Sequence, residues 1–68
     1  MEKSVEIALR SIIANVANQV DSERFLSSLA KSLENDAESE REANNPADAA
    51  DLEKLQKFTA KLADEAAG

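Results

Sequence analysis

Val20-Asp21-Ser22-Glu23-Arg24-Phe25 is the stretch that decides whether residues 2–43 form one helix or two. Before it, Val5, Ala8, Leu9, Ile12, Ile13, Val16, Ala17 and Val20 fall on one half of a helical wheel. Ser11, Asn15 and Asn18 lie opposite, which is the signature of an amphipathic helix over about residues 2–20. Beyond it, Phe25, Leu26, Leu29, Ala30, Leu33 and Ala37 make a stripe in a new phase. Asp21 stands at the change as an N-cap candidate, with Val20 and Phe25 placed as a hydrophobic staple. The pattern predicts a second helix over about 22–43. The competing arrangement is one helix through residue 43, because a 3,4 spacing threads Val5, Leu9, Ile12, Val16, Gln19, Glu23, Leu26, Ala30, Leu33 and Ala37. Gln19 and Glu23 in the middle of that seam weigh against it.

After Leu33 the second helix has no large apolar residue, only Ala37 and Ala43 among Glu34, Asp36, Glu38, Glu40, Arg41 and Glu42. That acidic stretch is expected to project into solvent or fray. Asn44-Asn45-Pro46 then stops one helix and starts the next, with Asn45 as N-cap, Pro46 in the first helical position and Asp48 in the first turn. A third helix over about 46–66 would bury Leu52, Leu55, Phe58, Thr59, Leu62 and Ala66, with Glu53/Lys57 and Lys61/Glu65 as i,i+4 pairs outside. One glycine, one proline and thirteen alanines leave little material for hairpins. The expected fold class is all-α: a single helical domain over 1–68 with two to three antiparallel helices.

The segment Asn45-Pro46-Ala47-Asp48 followed by Leu52-Glu53-Lys54-Leu55-Gln56 resembles the helix–turn–helix joint of type III secretion needle subunits, where an Asn-Pro turn opens a helix containing Leu and Gln. The resemblance covers about a dozen residues. It does not extend to that family's long apolar C-terminal helix, whose place holds Ala63, Ala66 and Ala67, so no assignment is made on it.

A chain of 68 residues buries a small fraction of its surface when it folds alone. With neither cysteine nor histidine, disulfides and thiolate or imidazole zinc sites are unavailable, and oligomerisation is the remaining common stabiliser. A helical bundle completed by homodimerisation is expected. The first helix carries more apolar side chain than two short neighbours can cover, and Ile7 points away from its main stripe. The residues expected at the interface are Ile7, Ile12, Ile13, Val16, Val20, Phe25 and Leu29.

Fourteen acids against eight bases give a net charge of −6, which disfavours direct contact with nucleic acid or an anionic membrane and favours basic partners. No apolar run approaches a membrane span, and the Met1-Glu2-Lys3 start lacks a signal peptide's apolar core, so a cytoplasmic protein is expected. Nucleophilic catalysis needs a base beside Ser or Thr. None is evident, so no enzyme, and no cofactor, is expected. Ser27, Ser28 and Ser32 read as solvent-facing residues of the second helix. An EF-hand register from Asp36 puts Arg41 where the loop needs Gly and Ala47 where it needs Glu, which rejects a calcium loop and leaves no metal site. On a helix, Glu34/Glu38/Glu42 and Asp36/Glu40 form two acidic rows with repeats of about 6 Å. A nucleic-acid mimic is therefore one alternative, against the simpler reading of a solvated acidic surface. The leading expectation is a non-enzymatic protein–protein interaction module, a small acidic homodimer acting as adaptor, regulator or inhibitor of another protein. A structural subunit of a larger helical assembly is the other alternative.

Overall fold

The break at Asp21 is present, and three helices result. The computed structural model describes all 68 residues and contains α1 (Lys3–Ala17), α2 (Ser22–Glu42) and α3 (Pro46–Ala67), with no strand. The continuous helix through residue 43 is excluded. α1 stops three residues short of the expected end, and Asn18 to Asp21 form a turn.

The chemistry of that turn differs from the expected cap. Asp21 adopts a left-handed backbone (φ 62, ψ 30) and its carboxylate makes no capping hydrogen bond, because this conformation turns the side chain away from the first amides of α2. Val20 and Phe25 do not staple the joint either, being 91% and 54% exposed. Ser22 takes over the local polar bonding: it is buried, and its hydroxyl donates to the Ala17 carbonyl at 3.2 Å, satisfying one orphan acceptor at the end of α1.

The α2–α3 turn follows its sequence signals closely. Asn44 is left-handed (φ 67), its N–H donates to the Arg41 carbonyl at 3.1 Å, and the Asn45 N–H donates to the Glu40 carbonyl at 2.8 Å. This is a Schellman ending, after which Pro46 opens α3. Asn44→Gly removes the Cβ penalty of the left-handed conformation and is expected to raise stability by about 0.5 kcal/mol. A higher urea midpoint at unchanged slope would show it.

α2 and α3, joined by only three residues, run antiparallel and share by far the most extensive contact, while α1 meets each of them sparingly. Small residues explain the closeness: Ala30 and Ala37 of α2 and Ala49 and Ala63 of α3 are all buried, and helices approach most closely where the side chains between them are short. The acidic half of α2 is therefore not frayed. It stays helical to Glu42 because Ala37, 1% exposed, docks it on the rest of the fold.

α1 lies on the α2–α3 pair and runs parallel to α3. Arg10 stacks over the Phe58 ring, 5.1 Å from its centroid, and Ala14 and Ala17 line a groove with Leu62 and Ala66. At the other end the Met1 amine pairs with Asp51. The core is Ile13, Leu26, Leu55 and Ala63, with Leu9, Val16, Ala17, Leu29, Leu33, Phe58 and Leu62 packed partly buried around it. Thr59 is wholly buried and donates its hydroxyl to the Leu55 carbonyl at 2.7 Å, which removes the cost of burying it. Only nine residues are buried, and the Cα extents of 38 × 23 × 13 Å describe a flattened body. Its radius of gyration of 12.2 Å exceeds the roughly 11 Å of a compact chain of this length.

Candidate protein interface

The apolar residues that α1 leaves uncovered follow from how it is docked. Arg10, Ala14 and Ala17 turn one flank of α1 toward α3, and Ile13 points into the core. Val5 and Ile12, one heptad apart, fall on the opposite flank. They are 45% and 61% exposed, with exposed Ala8 between them. α2 has the same asymmetry: Ser27, Ala30 and Glu34 border a groove shared with α3, and Phe25 falls about half a turn away from Ser27, on the flank next to α1. Val5, Ala8 and Ile12 of α1 and Phe25 of α2 thus border one edge of the fold, backed by half-buried Val16 and Leu29.

The seven expected interface residues separate into four groups. Ile12 and Phe25 lie exposed on this edge, and Val16 and Leu29 join it to the core. Ile13 is 7% exposed and belongs to the chain's own core, so a single copy already uses it. Ile7, though 55% exposed, falls on the other side of α1 near Ala14, and Val20 projects from the turn. The wheel alone could not separate Ile13 from Ile12, because both belong to one apolar half and only the position of α3 decides which side faces inward. Met1 and Val5, 43% and 45% exposed, are further large apolar side chains left uncovered that the sequence reading did not single out.

The acidic surface is also redistributed. Glu34, Asp36, Glu38 and Glu42 are exposed, with Glu34, Glu38 and Glu42 in one outward row, whereas Glu40 is half-buried and accepts a hydrogen bond from Asn45 Nδ2 at 2.8 Å. Arg41 pairs with Glu53 across the hairpin, a surface contact worth about 1 kcal/mol at most. No three of these carboxylates converge on a point that could hold a metal ion. The Met1 amine has a pKa raised above its ordinary range by the hydrogen bond from it to Asp51 and by the charge of that carboxylate, with Asp48 adding to the effect. A raised amine pKa means that the clamp is complete below the ordinary value and is lost as pH rises through the raised one.

These features are an exposed apolar edge and an exposed acidic row. The one serine hydroxyl that makes a hydrogen bond, that of Ser22, donates to the Ala17 backbone carbonyl. No helix is long and apolar enough to cross a membrane. Comparison with known protein families, with curated proteins and with solved structures finds no match to this chain. The likeness of the Asn-Pro turn to needle subunits therefore carries no family assignment.

Proposed function

We propose that this protein is a non-enzymatic interaction module: a small acidic helical protein that pairs with itself along the α1–α2 edge and acts on another protein as an adaptor, regulator or inhibitor. The observation that carries this reading is the uncovered edge of Val5, Ile12 and Phe25 on a chain whose own core holds only Ile13, Leu26, Leu55 and Ala63 as buried apolar residues in its central cluster. Large side chains left in water along one edge of so thin a fold are what a partner surface supplies cover for. The acidic outer row supports a basic partner for the assembled pair.

Pairing makes the melting temperature depend on protein concentration, because the second copy binds only the folded state. Melting followed by circular dichroism should shift upward by several degrees across a hundredfold rise in concentration, with a size that levels off. A size that keeps growing would instead favour the structural-subunit reading, and a concentration-independent melt of a single copy would remove pairing altogether. The mimic reading rests on the row Glu34, Glu38 and Glu42. It predicts that partner binding collapses when these are changed to Gln or when salt is raised. Binding that survives both favours the apolar edge.

A further inference from the structure

We infer that the second copy lies antiparallel to the first, α1 against α1 about a two-fold axis near Ala8 and Ile12, so that the two acidic ends sit at opposite poles of the pair. This rests on the pairing proposed above and adds its geometry. Area sets the scale. The chain exposes 4807 Å², against about 4,200 Å² for a compact monomer of its mass. The excess of about 600 Å² per copy, or about 1,200 Å² for two, is the lower bound of a specific, stable interface.

Charge chooses the orientation. Residues 34–53 carry eight acids and one base, a net of −7, while the rest of the chain carries six acids and seven bases, a net of +1, which together make the −6 of the whole. The acidic end is at the α2–α3 turn and lies beside the start of α1: the Met1 amine pairs with Asp51, and Glu40, Asp48 and Asp51 border the same crevice as Leu9. A parallel pair would set two such ends side by side. An antiparallel pair separates them by more than the length of α1, about 22 Å, well beyond the screening length of about 8 Å at physiological salt.

Side-chain size agrees. Val5, Ala8 and Ile12 occupy positions i, i+3 and i+7 of one flank. Antiparallel pairing sets Ala8 of each copy against Ile12 of the other, small against large, and lays the Met1–Val5 turn of one copy over Phe25 of the other. Parallel pairing would crowd Ile12 on Ile12 and leave a gap between the two Ala8 residues, a poorer fit on packing grounds.

The test is a single nitroxide label per chain at Ala47→Cys. The chain has no cysteine of its own, and Ala47 is exposed in the first turn of α3, away from the edge. Arg10 meets Phe58 and Ala14 shares a groove with Leu62, so α1 and α3 residues 48 apart lie level. Ala47 is therefore about eleven residues from the axis along α3, and dipolar spectroscopy should read about 35–40 Å between labels at a rise of 1.5 Å per residue. A distance of about 25 Å or less, two or three helix diameters, would overturn the antiparallel arrangement while leaving a pair in place. No dipolar coupling, together with the mass of one chain, would overturn the pairing as well.

Discussion

Changing Ile12 and Phe25 together to Asp should convert the proposed pair into a single chain that remains helical. Both side chains are more than half exposed in one copy, so the substitutions remove little from its own core. In the pair each would be covered, and burying an Ile or Phe contributes about 1.5–3 kcal/mol. Four such side chains are lost across the two copies and four carboxylates are placed in the seam. The dissociation constant should rise at least a thousandfold, equivalent to about 4 kcal/mol, while far-ultraviolet circular dichroism at matched concentration keeps its helical form. Ile7→Asp is the control. Ile7 is as exposed as Phe25 but falls on the other side of α1, so its substitution should leave association within about twofold. If Ile7→Asp dissociates the pair and the Ile12/Phe25 change does not, the interface has been placed on the wrong face. Substituting Val16 would not discriminate, because it packs against the chain's own core.

Leu26→Ala should have the largest effect on folding. Leu26 is wholly buried at the centre of the cluster with Ile13, Leu55 and Ala63, and a buried Leu→Ala change costs about 2–5 kcal/mol, depending on how far the cavity collapses. A single core in a chain this short supplies about 3–5 kcal/mol of net stability. The variant is expected to be largely unfolded at room temperature when dilute, with most of its helical signal gone. Val20→Ala, which alters a side chain 91% exposed, should stay within about 0.5 kcal/mol of the parent. A Leu26→Ala protein that melts within a few degrees of the parent would mean that the three helices do not share this core.

The parts of the fold that could be read in the sequence are those written in residues with few physical options. Pro46 has no N–H to donate and Asn44 tolerates the left-handed region, so the α2–α3 turn and the start of α3 follow from the residues themselves. Four features were less legible. Asp21 has the composition of an N-cap, but Asp also tolerates the left-handed backbone that it adopts here, and composition alone does not choose between the two roles. The acidic half of α2 was expected to project into solvent or fray because hydropathy gives little weight to alanine; Glu34, Asp36, Glu38 and Glu42 are exposed, yet the half stays helical because Ala30, Ala37, Ala49 and Ala63 let α2 and α3 approach closely and hold it in place. For the proposed interface, the sequence marked α1 as too apolar and marked Phe25, but it could not separate Ile13, which faces the core, from Ile12, which faces water, until α3 was positioned. Ser22 was not picked out at all: a serine beside a turn carries no signal that its hydroxyl will cap the preceding helix.

The central claim is that one chain cannot cover the edge formed by Val5, Ile12 and Phe25 and that a second copy does. Sedimentation equilibrium of the unmodified protein tests it most directly. Between micromolar and millimolar concentration the mass should level off at twice the 7.3 kDa of the chain. A mass that stays at 7.3 kDa throughout that range, with the helices fully formed, would contradict it.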